Sequence, residues 1–434
     1  MRGGMAQYFL TSPLLRSSCM DYTNRLSPIK VLWWVGVSCG LVGCEGKAPQ
    51  APLPVLPAGI TEVPFDKRPD FALADDVDRN GLVDLLVTNH GGSITQVFFQ
   101  TARRVFTAGP VSNVGGFHPN EVIRLPVPDR QRYLINAESQ GQLIVFEPAA
   151  DGTFAARSRY PARVPQFTTA FSRPNWGLGL AVSPLSGSTA LTLLQQFDPE
   201  TGTARQEHLV SMPGGRGSGV LGPPVAADLD RDGADDLVIA SVQDNAVIRV
   251  RFPRSKKSST PVAERIWQGT GGAPRLIRAL DLTGDGALDL LVPNQLPPLQ
   301  FNLLINDGAG RFKPAEPLPV VTTRSIHNFD AAVDRDGTPT ALAAGNYGPL
   351  ALYRWPARHG LADFAVQTLE LPPAVGCSLL MLRDLDGDGW LDAFLGSGNR
   401  GAWVLFGPLN ERFSDLSGSA EFAQLGQSHA SAAK

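Results

Sequence analysis

One acidic pattern recurs along this chain of 434 residues at intervals that few folds can accommodate. Positions one, three and five are aspartate or a similar polar residue, position six is glycine and position nine is aspartate, and an apolar run follows. The four complete copies span residues 76–84, 228–236, 281–289 and 384–392. The last three begin at intervals of 53 and 103 residues. A repeated structural unit of about 52 residues is therefore indicated.

Other copies of the unit have lost part or all of the pattern. An eroded copy from Ala332 to Gly337 keeps positions three, five and six but has Thr340 at position nine. The interval of 152 residues between the first two complete copies leaves room for two more units. Their strands are predicted around Leu125 to Ala137 and Leu178 to Leu194, which brings the total to seven units.

A second repeat gives the same number. Seven times a β-like run leads through a turn to an aromatic or branched residue on a returning strand. These predicted hairpins are Val97 to Phe106, Ile144 to Phe154, Leu193 to Ala204, Val247 to Val262, Leu303 to Phe312, Leu352 to Phe364 and Val404 to Phe413. With 45 Gly and 36 Pro, turn formers are abundant. The chain is therefore predicted to be all-β, a seven-bladed β-propeller of four-stranded blades over residues 59–417.

The acidic loops have the chemistry of a calcium site. Carboxylates at positions one, three, five and nine and a carbonyl at position seven form an all-oxygen cage, and glycine at six permits the bend. An EF-hand is excluded, because its bidentate glutamate at position twelve is replaced here by an apolar residue. A plain turn without metal remains the alternative. The predicted ligands are Asp76, Asp78, Asn80, Leu82, Asp84, Asp228, Asp230, Asp232, Ala234, Asp236, Asp281, Thr283, Asp285, Ala287, Asp289, Asp384, Asp386, Asp388, Trp390 and Asp392.

The acidic loop and the apolar run after it, as in Asp84-Leu85-Leu86-Val87, resemble the FG-GAP/VCBS repeat family. That family includes the integrin α-subunit head propeller and many bacterial surface lipoproteins. The resemblance covers residues 60–417 and implies a propeller in which each complete loop joins the first two strands of a blade and binds calcium, about four ions in all. The loops at 228 and 384 offer four carboxylates each, so they are predicted to fill at lower calcium concentration than the other two.

The N-terminal residues are predicted to direct export and lipid attachment. An uncharged apolar run, Val31 to Gly43, follows two basic residues; it is too short to span a membrane and suits a signal peptide. Its end resembles a bacterial lipobox, so residues 1–43 are predicted to be a leader, with Met20 as an alternative start, and Cys44 the lipidated mature N-terminus. An ordinary signal peptide with an incidental cysteine is the alternative.

The segments that flank the predicted propeller have a different composition. Residues 44–58 are rich in proline and are predicted to form an extended tether between the lipid and the propeller. Residues 418–434 are predicted to be a disordered tail. Glu45 after the lipidated cysteine favours the outer membrane, with the propeller facing the periplasm or the cell surface.

Loops that cross from one blade to the next are predicted to surround the mouth of the central channel, opposite the acidic loops. Propellers commonly bind ligands at such a mouth, because several loops converge there on a rigid scaffold. We expect a polar pocket for a glycan, a peptide or an anionic group; the alternative is that these residues only shape turns and cap strands. The candidate residues are His118, Asn120, Arg173, Asn175, Arg275, His327 and Asn328.

Composition and motifs restrict the class of function. A net charge of -3 and a pI near 6.1 provide no basic field for nucleic acid. The predicted function is a monomeric lipoprotein binding module that recognises a glycan, a peptide or a protein partner. The alternative is a calcium-dependent polysaccharide lyase or hydrolase. Its acid and base would come from Glu121, Asp330, His118 and His327.

Overall fold

The computed structural model describes residues 56–423, apart from 115–117, 129, 150, 175, 186–189, 214–219, 253–259, 322–324, 346–347, 356–360, 362, 373–375 and 398–400. The predicted leader, Cys44, most of the tether and residues 424–434 therefore lie outside the described residues. Leu53–Lys434 forms one compact unit. In the described part of the chain, no helix has the length and apolar character needed to cross a lipid bilayer.

The described residues form seven antiparallel sheets, each built on four strands and arranged in a ring, which confirms the predicted seven-bladed propeller. The first strand, β1 (Ile60–Val63), belongs to the last sheet. Blade 1 contains β2 (Phe71–Asp75), β3 (Asp84–Asn89), β4 (Ile94–Ala102) and β5 (Val105–Ser112). Blade 2 contains β6 (Pro119–Leu125), β7 (Arg132–Ala137), a 3-10 turn (Glu138–Gln140), β8 (Gln142–Pro148) and β9 (Phe154–Pro161).

The next four blades repeat this order. Blade 3 contains β10 (Pro165–Arg173), β11 (Gly177–Pro184), β12 (Ala190–Asp198) and β13 (Thr203–Ser211). Blade 4 contains β14 (Val225–Ala227), β15 (Asp236–Ser241), β16 (Ala246–Arg251) and β17 (Val262–Gln268). Blade 5 contains β18 (Arg278–Leu280), β19 (Asp289–Pro293), β20 (Gln300–Asn306) and β21 (Phe312–Pro314), and a short β22 (Leu318–Pro319) also pairs with β20. Blade 6 contains β23 (Asn328–Val333), β24 (Pro339–Ala344), β25 (Pro349–Arg354) and β26 (Ala365–Glu370).

Neighbouring blades pack face to face, and this explains the apolar runs in the sequence. The second strand of a blade is covered on both faces, so every residue of β3, β7 and β15 is buried. Such strands read as continuous apolar runs rather than as alternating ones. Seven hydrophobic clusters fill the spaces between successive blades; the one between blades 1 and 2 includes Val97, Ile135 and Phe146.

Blade 7 closes the ring with strands from both ends of the described chain. It contains β27 (Leu379–Arg383), β28 (Asp392–Gly396) and β29 (Ala402–Leu405), and its outer strand is β1, which pairs with β29 in antiparallel register. The predicted hairpin from Val404 to Phe413 is therefore wrong. After Pro408 the chain forms α1 (Leu409–Leu416), because Leu409, Phe413 and Leu416 repeat at helical spacing and are buried together.

The helical segment extends beyond the predicted end of the propeller. A short helix, α2 (Ala420–Ala423), follows α1, and Phe422 is buried in the same cluster as Phe413. Ala420–Ala423, within the segment predicted to be disordered, are thus helical.

Candidate metal loops and channel mouth

In blades 1, 4, 5 and 7 the acidic segment is the turn between the first and second strands, as predicted. The aspartate at position one holds this turn closed. In blade 1, Asp76 Oδ1 accepts the backbone N–H of Asn80 at 3.0 Å, and Oδ2 accepts that of Gly81 at 2.9 Å. The first aspartate of the other three loops also accepts two backbone N–H groups. The glycine at position six has φ between 80° and 89°, a conformation that favours glycine.

The aspartate at position nine is buried and ties the loop to the blade. Asp84 accepts the backbone N–H groups of Val77 and Gln100, each at 2.8 Å. Asp289 and Asp392 accept the equivalent pairs. Burial raises the pKa of Asp84 and Asp289 to about 6 and that of Asp392 to about 7, although these hydrogen bonds lower it. A nearby cation would favour the charged form of such a carboxyl group.

Three of the loops bring aspartates close enough to share one ion. In the loops at 76–84, 228–236 and 384–392, one oxygen from each of three aspartates lies within 4.8 Å of the others. Calcium holds oxygens at roughly 2.3–2.6 Å, so ligands on opposite sides of the ion are about 5 Å apart. The spacing therefore fits calcium. Among the described residues the loop at 281–289, which has Thr283 at position three, forms no such group.

In blade 4 an arginine lies among the carboxylates. Arg249, on β16, is 6% exposed, and its Nη2 lies 3.2 Å from Asp230 Oδ2 and also contacts Asp236. Its Nη1 donates to the carbonyl of Gly310 at 2.8 Å. Arg173 lies 3.4 Å from Asp236 on the other side. Burial raises the pKa of Asp236 and Arg249 opposes that rise, so the protein itself supplies positive charge to this loop.

The loop of blade 7 has a similar arrangement. Arg103 and Arg104, in the β4–β5 turn of blade 1, contact the carboxylate of Asp386 at 3.2 and 2.5 Å. They also lie 3.4 and 3.5 Å from Asp388. A calcium ion in this loop would compete with two guanidinium groups for the same oxygens.

The loop of blade 1 differs, because the adjacent Arg124 pairs with Asp75 instead. In the part of the chain that the structure describes, no arginine or lysine pairs with its three clustered aspartates. The larger ligand count of the loops at 228 and 384 therefore does not by itself make them the tighter sites. The residues of the loop at 76–84 fit calcium with the least competition.

A cavity of about 460 Å³ opens beside the loop of blade 1. Three exposed arginines line it. Two of them are paired, Arg124 with Asp75 and Arg130 with Glu200 at 3.5 Å. The lining residues are Asp76, Arg79, Arg124, Val127, Arg130 and Gln131. Guanidinium groups grouped in this way suit a carboxylate, phosphate or sulphate ligand.

At the other face, the structure places His118 and Asn120 between blades 1 and 2. The centroids of the His118 and His90 rings are 4.3 Å apart. Asn120 Nδ2 donates to Glu138 Oε2 at 2.5 Å. His90 and Glu138 both come from turns between the second and third strands of a blade.

Arg275, His327 and Asn328 lie on the same face at blades 5 and 6. The guanidinium of Arg275 lies 5.4 Å from the ring centroid of Phe167. Burial and the charge of Arg275 lower the pKa of His327. Asn328 Nδ2 donates to the carbonyl of Cys377 at 2.7 Å. This group has different partners from those of the histidine pair, so the structure divides the predicted mouth residues into two sets.

The prediction for Arg173 is wrong. It ends β10, in the turn to β11, and its Nη1 donates to the carbonyl of Asp235 in the acidic loop of blade 4. Blade 3 has no acidic loop, so its first turn is short, and the phrase Ser172-Arg173-Pro174 resembles a crossing loop only in sequence. Arg173 therefore lies at the opposite end of its strand from the mouth. Asn175 lies outside the described residues.

Comparison with known families agrees with this geometry. The FG-GAP-like repeat model matches residues 228–292, which contain two of the acidic loops. The matched repeat belongs to a ring of seven blades of the same order. The repeat match and the ring of seven blades together support the FG-GAP β-propeller family.

Among solved structures, selenomethionine substituted virginiamycin B lyase from Staphylococcus aureus is similar to this chain in fold. The TM-score is 0.50 and the sequence identity 11%, over 80% of this chain and 98% of the other. At this identity the similarity is one of fold alone. No match was found among curated proteins.

Of the four acid–base candidates, Glu121 and Asp330 share Arg278, whose charge lowers the pKa of Glu121 and whose guanidinium donates to Asp330, whereas the two histidines have other partners. Glu121 Oε2 accepts the backbone N–H of Thr168 at 2.8 Å, and burial raises its pKa to about 7. Asp330 accepts from Arg278 at 2.5 Å and from the N–H of Leu382 at 2.8 Å. His118 packs on His90, whereas His327 lies 3.4 Å from Gln295. These contacts orient each group locally.

Sequence reasoning missed Arg249, Arg103, Arg104, His90 and Glu138. For Arg249 a signal existed, because a charged residue inside an apolar run that forms a buried strand needs a partner. The others stand in turns and have no local pattern that distinguishes them from solvated residues. Their roles depend on which blades are neighbours in the ring.

Proposed function

We propose that this FG-GAP propeller is a calcium-stabilised binding module of the cell envelope, anchored by a lipid on Cys44, that recognises an anionic ligand such as an acidic glycan. The FG-GAP fold supports a binding or scaffold module in general, and propellers of this family are typically not enzymes. The finer proposal rests on the arginine-lined cavity beside the loop at 76–84.

This cavity combines the features that an anionic ligand requires. Arg79 and Arg130 are exposed at its edge and offer planar groups of donors, which match a carboxylate in two-point contacts. The acidic loop that contributes Asp76 to the same wall would place a calcium ion beside the ligand. Calcium would then favour anion binding as well as stability.

A glycan array probed with the protein in calcium tests the ligand class. We expect acidic glycans to be retained and their neutral counterparts to be lost. Arg79→Ala and Arg130→Ala should each weaken binding about tenfold or more, the usual loss for a charged hydrogen bond. Arg311→Ala is the control, because this exposed arginine of blade 5 pairs with Asp307 in its own turn. Equal binding of acidic and neutral glycans would contradict the proposal. So would Arg79→Ala and Arg130→Ala variants that bind acidic glycans as tightly as Arg311→Ala does.

Calorimetric titration of the chelator-treated protein with calcium tests the metal. Up to four ions are expected, the first in the loop at 76–84, and Asp78→Ala should remove that site. Each tenfold excess of calcium over its dissociation constant adds about 1.4 kcal/mol of stability per site. A protein that binds no calcium and melts identically in chelator would show that these loops are only turns.

Labelling with palmitate in a Gram-negative host tests the anchor. The protein should incorporate the label, and Cys44→Ala should abolish it while leaving expression of the propeller intact. Label that persists in Cys44→Ala would contradict lipid attachment at this residue.

A further inference from the structure

A site of different chemistry lies at the channel mouth between blades 1 and 2. His90 is in the β3–β4 turn, His118 directly precedes β6, and Glu138 directly follows β7. One ligand atom from each lies within 4.8 Å of the other two. We propose that these three residues bind a zinc-like divalent metal ion.

The distances suit a tetrahedral ion. His90 Nε2 lies 3.5 Å from Glu138 Oε2. Zinc holds histidine nitrogen and carboxylate oxygen at about 2.0–2.2 Å, which places two tetrahedral ligands about 3.4 Å apart. His90 Nε2 is buried and has no hydrogen-bond partner within the described ranges. A buried nitrogen without such a partner, pointing at a carboxylate and beside a second imidazole, is accounted for by a shared cation.

The main chain and neighbouring side chains hold the three ligands in place. The backbone N–H of Glu138 donates to the carbonyl of His118 at 3.3 Å. The backbone N–H of His90 donates to Asp70 Oδ2 at 2.8 Å. Asn120 donates to the Glu138 carboxylate, the kind of outer contact that orients a metal ligand. The site is therefore formed before the metal arrives.

The donor set distinguishes this site from the acidic loops. Calcium takes oxygen ligands, whereas two imidazoles and one carboxylate suit zinc and related transition metals. Three protein ligands leave the fourth position of a tetrahedral ion open to water or to an anionic group of a ligand at the mouth. This inference is independent of the proposed function, which rests on the opposite face.

The test is a calorimetric titration of the full chain with zinc chloride in excess calcium, after removal of bound metal by chelator. Wild type should bind one zinc ion more per chain than His90→Ala. His118→Asn and Glu138→Gln should weaken that site more than tenfold; asparagine tolerates the positive φ of 57° at position 118. Asn120→Ala keeps all three ligands and should weaken it about 10–100-fold.

His208→Asn is the matched control, because this histidine lies on β13 of blade 3 and is 3.2 Å from Gln195. It should bind zinc as wild type does. Cysteine thiols contribute equally to every variant, so the difference between variants reports the mouth site alone. Equal stoichiometry and affinity in wild type and all four mouth variants would show an ion pair only and overturn the proposal, as would a wild type that binds no zinc.

Discussion

Removal of Arg249, which lies among the carboxylates of the blade 4 loop, should make the stability of the propeller depend more strongly on calcium. Arg249→Met keeps the length of the side chain but leaves Asp230 and Asp236 without the guanidinium that contacts both. Removing one partner of a buried ion pair costs about 3–5 kcal/mol. For a propeller of this size that corresponds to a fall of about 4–7 °C in melting temperature. Burial raises the pKa of Asp236, so the cost is smaller in acid, where the carboxyl group takes up a proton.

Calcium should restore much of this stability, because the vacated loop then offers its aspartates to the ion. Calcium at a hundred times its dissociation constant adds about 2.7 kcal/mol. The assay is scanning calorimetry of wild type and variant, each in chelator and in calcium. Arg251→Met, two residues along the same strand and paired with Glu264 at an exposed site, is the control and should change neither value appreciably. Two results would contradict this reasoning: equal melting temperatures of Arg249→Met and wild type in chelator, or an equal rise of the two melting temperatures in calcium. Either would show that the guanidinium does not act in place of a metal ion.

Three further predictions follow from buried groups. Burial raises the pKa of Glu121 from 4.5 to about 7, so between these values the native state holds a proton that the unfolded chain releases. Up to about 3 kcal/mol of stability that is present in acid is therefore lost as pH rises through 7. Denaturant titrations of Glu121→Gln should show a smaller loss of stability over the same pH range. Val63→Asp places an unpaired charge in β1, at a position that is fully buried. It should lower the melting temperature far more than Val105→Asp, because Val105 is 50% exposed. Burial raises the pKa of the Cys377 thiol to about 12, so native wild type and Cys377→Ala should take up equal amounts of a thiol reagent, and wild type should take up one more equivalent once unfolded.

The blades could be predicted from the sequence because each is specified locally. The acidic turn, the apolar second strand and the outer hairpin recur in the same order, so the period alone gives the number of units. Ring closure has no such signal, since Ile60 pairs with Leu405, 345 residues further along the chain. The predicted seventh hairpin failed for this reason. The sequence pattern predicts a returning strand at Phe413, which in fact belongs to a helix.

The candidate sites show the same division. The aspartates of each loop are close in sequence, so their spacing reveals them. The arginines of the blade 7 loop are distant in sequence, because Arg103 in blade 1 reaches Asp386 in blade 7 only when the ring is closed. His90, His118 and Glu138 likewise come from three turns of two blades. Contacts of this kind require the arrangement of blades, which the period does not contain.

The outer strand of blade 7 is β1, from the start of the described chain, so the ring can close only when β29 is available for pairing. Among the described strands β1 is synthesised first, yet its partner β29 is synthesised last. Until then the cluster that joins blades 7 and 1, with Phe98 and Phe394, stays exposed. The signal peptide predicted from the sequence implies export, and during such export the ring would stay open until β29 has crossed the membrane. The pairing of β1 with β29 is therefore the last step of ring closure, and it follows complete synthesis or export of the propeller.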